Sequence, residues 1–153
     1  MTDDEVPGWV RLGLVVALAL PQLAVGLWAV LDPSGWFADF PGIDPRLVAA
    51  EPPFNQHLAT DAGAGFLCTG VALVAAAAWR RRSGVLVALA TLVAFAVPHL
   101  AYHASHPSDL LTSGEDAMNV AVLTLPLVLA AVFAVATVRA GVSGGAPSPA
   151  TPR

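Results

Sequence analysis

Three histidines follow one another at helical spacing within FAVPHLAYHASHP, residues 95–107. Offsets of four and seven residues return to nearly the same angle on an α-helix, so His99, His103 and His106 are predicted to form one stripe. The stripe would be about 10 Å long, at about 1.5 Å of rise per residue. Imidazole groups are costly in hydrocarbon and are usually functional at membrane depth. The stripe therefore indicates a polar site at the end of an apolar helix.

The remaining histidine of the chain lies in another apolar segment. His57 precedes Asp61 by four residues, so this imidazole and this carboxylate also share a helix face. Imidazole together with carboxylate suits a borderline divalent ion such as zinc or iron. Because the two segments are predicted to be antiparallel neighbours, their polar ends reach the same depth. We therefore predict a transition-metal site formed by His57, Asp61, His99 and His103.

Further polar residues are predicted at the same end of the bundle and would surround these ligands: Tyr102, His106, Glu115, Asp116 and Asn119. Plainer interpretations exist for most of them. Tyr102 is typical of the aromatic belt at a membrane surface, and His106 of a solvated helix end. Glu115 and Asp116 are typical of the first turn of a helix.

The sequence assigns no catalytic residue, and whether the protein is an enzyme is left open. A bound ion lowers the pKa of its water to about 7, which would permit hydrolysis or oxidation of a lipidic or quinone-like substrate. A second hypothesis is a non-catalytic accessory subunit of a membrane complex, whose polar cluster is a structural hydrogen-bond network. A third is haem binding between His57 and either His99 or His103.

The composition indicates a membrane protein. Of the 153 residues, 56% are hydrophobic and 12% are charged, and the mean hydropathy is +0.70. A soluble domain carries about 25% charged residues, so this chain has too little polar surface to coat a globule. No basic stretch follows the pattern of nucleic-acid binders, which excludes that class of partner. With one cysteine, Cys68, an intrachain disulfide is also excluded.

Hydropathy predicts an all-α, four-helix transmembrane bundle that forms a single domain over residues 1–139. The predicted spans are listed in chain order: residues 10–31, 55–79, 85–106 and 115–138. Residues 140–153, rich in Gly, Pro and Ser, are predicted to be a flexible cytoplasmic tail. Pro21, inside the first span, predicts a kink or local bend.

The loop of residues 32–54 is too polar to span a bilayer and holds five prolines. Proline fixes φ and removes a hydrogen-bond donor, so a regular helix is not expected across most of this loop. Trp36, Phe37 and Phe40 have the character of residues that lie at the headgroup boundary. We predict an ordered cap folded over one end of the bundle.

The distribution of arginine predicts the orientation in the plasma membrane. In a four-span arrangement only Arg46 falls on the side of the cap, and the other six arginines fall on the opposite side: Arg11, Arg80, Arg81, Arg82, Arg139 and Arg153. Positive charge is enriched on the cytoplasmic side. Both termini are therefore predicted to be cytoplasmic, with the cap and the histidines outside.

The runs FPG (40–42), PFNQHLATDAGAG (53–65) and PHLAYHASH (98–106) resemble those of small four-span membrane proteins common in actinobacteria, which are DoxX-like in size and topology. The resemblance covers about residues 9–139. It departs at Gln56, where an acidic residue is expected before His57. The resemblance implies the fold and topology but no reaction. The lipid bilayer is the expected environment, and a membrane-protein partner or a homo-oligomer is an open alternative for the assembly. A resemblance to DoxX itself implies an association with quinone and thiosulfate chemistry. No residue of this chain requires that chemistry.

Overall fold

The computed structural model describes the backbone of residues 5–144 and the side chains of residues 5–140. Five helices are present, and we number them in chain order: α1 (Gly8–Leu31), α2 (Pro33–Asp39), α3 (Gln56–Trp79), α4 (Arg82–Ser105) and α5 (Ser113–Gly144). Within these residues there is no β-strand, only an isolated bridge between Glu5 and Arg81. The prediction of an all-α bundle is confirmed.

All helices except the short α2 are long and apolar enough to cross a bilayer. Their outer surfaces carry many large apolar side chains, including Leu20, Val71, Val93 and Val132, each with a third or more of its surface exposed. A soluble protein would bury such side chains or cover them with a partner. Together these features indicate a multi-pass membrane protein.

The observed helix bounds differ from the predicted ones mainly at the ends of α4 and α5. α4 begins at Arg82 and not at residue 85, because only Arg80 and Arg81 separate it from α3. Arg80 adopts the left-handed conformation (φ 64°), which ends α3 and permits the tight turn. α5 continues to Gly144, so the first residues of the predicted tail are helical. The rest of that tail, residues 145–153, lies outside the described residues.

Pro21 follows a π-helical segment, Leu14–Ala19, within α1. Proline cannot donate a hydrogen bond to the carbonyl of residue i−4, and its ring crowds that carbonyl. The regular pattern of backbone hydrogen bonds must therefore change there. A π-helical turn is one established way to accommodate such a disruption inside a helix.

Helices α1 and α3 pack closely because glycines face each other. A Cβ atom on Gly26 would lie 2.8 Å from the Gly63 carbonyl oxygen, and one on Gly63 would lie 2.9 Å from the Ala29 Cβ. Gly70 is equally close to Leu23, at 2.7 Å. Small residues allow such approach in lipid, where apolar burial alone does not drive helices together.

The bundle has two apolar clusters, one toward each end. The larger one is centred on Leu14, Leu73 and Leu92, which are fully buried, and it joins α1, α3, α4 and α5. The smaller one joins Ala29 and Ala59 to Trp36 of α2. The second half of α1 contacts α3 but not α5, whereas the first half contacts both. Residues 32–54 cover the bundle at the end where α1 and α5 separate.

The cap is ordered by local contacts, as predicted. Asp32 caps the N-terminus of α2, accepting a hydrogen bond from the Gly35 amide at 3.0 Å. Arg46 pairs with both Asp39 and Asp44, at 3.0 and 3.1 Å. Most of the cap beyond α2 consists of turns and bends, in agreement with its proline content.

Candidate functional site

We call the end of the bundle where α3 begins and α4 ends the histidine end. It holds all four histidines, and the cap lies over it. The structure forms two polar pairs there: His57 with Asp61 on α3, and His103 of α4 with Glu51 of the cap. The two pairs differ in their surroundings.

The His57–Asp61 pair is exposed. The His57 Nε2 and Asp61 Oδ2 atoms are 3.4 Å apart, and the side chains are 82% and 61% exposed. The same face of α3 continues through Ala64, Cys68 and Val71, all of which are exposed. This face is therefore turned away from the rest of the bundle.

His99 lies against the opposite face of α3. Its ring stacks on Phe95 of its own helix, with centroids 5.9 Å apart, and meets the edge of Phe66 of α3 at 6.0 Å. Phe66 is nine residues after His57, which is two and a half helical turns and hence about half a rotation. His99 thus lies on a different side of α3 from His57 and deeper in the bundle, since Phe66 is about 13 Å further along the helix than His57.

His103 continues the polar path from His99 to the cap. The two imidazole rings are 5.0 Å apart, edge to face. The His103 Nδ1 atom is 3.6 Å from Glu51 Oε1, and these side chains are only 17% and 32% exposed. The pair is ionic only when the imidazole is protonated, and at 3.6 Å the contact is longer than a hydrogen bond. It places Glu51 of the cap beside α4.

Glu51 was not among the predicted site residues. It belongs to a proline-rich loop, 52 positions before His103, and no periodicity relates a loop residue to a helix face. The loop is held in place by a second contact, because the Ser108 hydroxyl donates to the Ala50 carbonyl at 2.6 Å. One available signal was the presence of an acid beside two prolines in a segment predicted to fold over the histidines.

Tyr102 and His106 lie at the exposed end of α4. Their rings stack with centroids 4.5 Å apart. The His106 Nδ1 atom lies 3.0 Å from the Tyr102 carbonyl oxygen and 3.0 Å from the Ser105 hydroxyl. The Tyr102 ring also meets the His103 ring edge to face at 5.5 Å, so ring contacts run from His103 through Tyr102 to His106.

Glu115 forms a capping box at the start of α5. Its carboxylate accepts hydrogen bonds from the Thr112 amide at 2.7 Å and the Thr112 hydroxyl at 2.8 Å, and the Glu115 amide donates back to that hydroxyl at 3.3 Å. The sequence signal was T-x-x-E, the standard capping box. Asp116 lies 3.4 Å from the Ser108 amide, and Asn119 is buried one turn further along α5.

The four predicted ligands are therefore brought together as two pairs and not as one group. Among residues 5–140 there is no set of three His, Cys, Asp or Glu side chains that could hold a metal ion. The donor atoms of His57 and Asp61, 3.4 Å apart, and those of His103 and Glu51, 3.6 Å apart, are each close to the spacing of two ligands on one ion, and only the second pair lies beneath the cap. Metal or haem binding by His57 together with His99 or His103 stays a prediction.

A polar contact also crosses the middle of the bundle. The Thr69 hydroxyl of α3 donates to Gln22 Oε1 of α1 at 3.3 Å, and both residues are buried. Buried polar side chains in a bundle are expected to be paired in this way, so this contact has a structural role.

Comparisons with protein-family models, with curated proteins and with solved structures found no match. The resemblance to small DoxX-like membrane proteins of actinobacteria stays a prediction.

Proposed function

We propose that this chain is a non-catalytic subunit of a membrane complex, and that it associates with a second copy of itself through the exposed face of α3. The observation that carries this proposal is the exposed His57–Asp61 pair, which the bundle does not cover. If Trp79 marks one boundary of about 30 Å of hydrocarbon, the other boundary falls near Ala59. Asp61 then lies just inside hydrocarbon, where an uncovered carboxylate is unfavourable.

The spacing of this face suits a parallel helix pair. The exposed residues follow at intervals of four, three, four and three: His57, Asp61, Ala64, Cys68 and Val71. This alternation of spacing is typical of the seam, the line of contact between two helices packed side by side. Ala64 and Cys68 are small, which permits close approach. A two-fold axis would place His57 of one copy near Asp61 of the other, so the face is complementary to itself.

Cross-linking through Cys68 tests this association, because it is the only cysteine of the chain and it is exposed on the proposed seam. We expect oxidation in native membranes to give a disulfide-linked dimer. The matched control is Cys68→Ser with Val132→Cys, which moves the thiol to an exposed position of α5. Equal cross-linking of the control, or none of the wild type, contradicts the proposal.

The proposal includes the orientation, with both termini in the cytoplasm and the histidine end outside the plasma membrane. It is supported by the split of the arginines between the two ends. In a Cys68→Ser background and intact cells, an impermeant thiol reagent should label Ser34→Cys and spare Ser83→Cys. The reverse pattern would invert the orientation.

A second candidate function is binding of a zinc or iron ion beneath the cap. The observation that favours it is the 3.6 Å separation of His103 Nδ1 and Glu51 Oε1, close to the distance of about 3.3 Å between two donors on one tetrahedral zinc. His99, whose ring is next to that of His103, is the nearest further imidazole. A bound ion would supply Lewis-acid chemistry at this site.

Metal analysis of purified protein distinguishes the two candidates. A metal site beneath the cap predicts near one equivalent of zinc or iron in the wild type, with most of it lost in His103→Ala and in Glu51→Gln. His57→Ala is the control, since its side chain is on the other side of α3. Wild-type protein that takes up no metal on titration would refute this candidate. Loss of metal in Asp61→Ala would instead support the ligand set predicted from the sequence, which includes Asp61.

A further inference from the structure

A groove runs between α3 and α4 at the end of the bundle opposite the histidines. Its volume is about 550 Å³. Its floor is built from small apolar residues of both helices, among them Ala72, Ala76 and Ala88. Alanines leave this space open because larger side chains at those positions would fill it. We call it the α3–α4 groove.

The interior of this groove has no free polar group among the described side chains that line it. Thr91 is its one polar residue away from the mouth, and its hydroxyl donates to the Val87 carbonyl at 3.0 Å. An apolar channel of this kind, open along a membrane-spanning surface, suits a hydrocarbon chain. The bilayer supplies that occupant directly.

The mouth of the groove is basic and aromatic. Arg81 and Ser83 line it together with Trp79, whose ring is 74% exposed. Arg80 and Arg82 flank Arg81 in the chain. Within residues 5–140 no carboxylate lies at ion-pair distance from the Arg81 guanidinium. The guanidinium is thus available to bind an oxyanion at the membrane surface.

One acid lies nearby and could oppose an anion. Glu5 pairs with Arg81 through the backbone bridge, which brings it to the same end of the bundle. Among residues 5–140, the three consecutive arginines outweigh this carboxylate, so the charge of the described part of the mouth is positive. Basic pockets between transmembrane helices are known sites for anionic lipid headgroups.

We propose that the α3–α4 groove binds one anionic phospholipid, with its phosphate on Arg81 and Ser83 and one acyl chain along the alanines. Arginine suits this role because its planar guanidinium can donate two parallel hydrogen bonds to a phosphate. Trp79 lies at the boundary between headgroup and chain, where tryptophan is favoured.

A second groove provides a matched control. It lies between the start of α1 and the end of α5, has a volume of about 640 Å³, and also carries a tryptophan and an arginine, Trp9 and Arg139. Arg139, however, is already engaged within the protein. Arg139→Gln removes the same charge from the same end of the bundle as Arg81→Gln, so it separates a specific site from a general effect of charge.

Native mass spectrometry of the detergent-purified chain tests the proposal. We expect one tightly bound phosphatidylglycerol, with weaker binding of phosphatidylcholine. Arg81→Gln should lower the affinity for phosphatidylglycerol about fivefold, which corresponds to about 1 kcal/mol per arginine at a membrane surface. Arg139→Gln should leave it unchanged, and inorganic phosphate at millimolar concentration should not displace the lipid.

Gly84→Leu tests the apolar part of the site. A Cβ atom at Gly84 would meet only Trp79, at 3.8 Å, so the leucine has room to extend into the groove without breaking the fold. We expect it to reduce lipid binding while the arginines remain. Equal affinity for both lipids, an equal loss in Arg139→Gln, displacement by phosphate, or undiminished binding in Gly84→Leu would each overturn the proposal.

Discussion

At the residue scale, the four histidines have different surroundings because they lie at different depths and face different sides of their helices. His99 is enclosed by Phe66 and Phe95, His103 meets the cap, and His57 is exposed. The i, i+4 spacing correctly indicated which residues share a face. It did not indicate where that face points, since rotation about a helix axis is independent of depth.

The contact between His103 and Glu51 is expected to hold the cap on α4. We predict that His103→Ala lowers the free energy of unfolding by about 0.5–1 kcal/mol, the range for a partly exposed pair. We also predict faster proteolysis within residues 40–54 as the cap loosens. His57→Ala is the control and should change neither, because its pair is exposed and joins residues of one helix. Unchanged proteolysis in His103→Ala would contradict this role.

At the element scale, the spans were predictable and their lipid-facing sides were not. Long apolar runs separated by Pro, Gly and Arg give the four helices directly. In a soluble helix the polar face shows which side is outside, but here both the core side and the lipid side are apolar. On α3 the face that contacts α1 is marked by small residues such as Gly63 and Gly70.

The start of α5 shows how a local signal can be more specific than hydropathy. The capping box of Thr112 and Glu115 begins that helix at Ser113, earlier than the apolar run alone predicts. The ends of helices depend on such contacts between side chains and backbone, and short sequence motifs predict these contacts. The position of Glu51 depends on the path of the 16-residue loop between α2 and α3, for which no comparable motif exists.

Close packing of α1 on α3 should be sensitive to the volume at Gly63. A Cβ there already falls within 2.9 Å of Ala29, so Gly63→Val is expected to cost about 1–3 kcal/mol of unfolding free energy by overpacking. Ala24→Val adds a similar volume on the exposed side of α1, away from the proposed seam, and should cost well under 1 kcal/mol. Unfolding in a denaturing detergent measures both. Equal costs would show that α1 does not constrain this face.

At the scale of the whole molecule, one end of the bundle is a well-packed apolar core and the other is a polar surface under a cap. The core joins all four long helices near the arginines, whereas at the histidine end a smaller cluster joins the cap to α1 and α3. The His57–Asp61 pair on the outside of α3 is exposed in one copy of the chain. The proposed association of two copies would give it a partner.

The number of copies in a purified particle tests this account most directly. In a mild detergent, light scattering corrected for bound detergent should give the mass of two chains for the wild type. Asp61→Leu removes the charge from the seam and Ala64→Phe adds bulk to it, and both should give one chain. Val132→Phe, on the exposed side of α5, should still give two. A wild type that contains one chain in both detergent and nanodiscs, or a Val132→Phe variant that dissociates as fully as Ala64→Phe, would contradict self-association through α3.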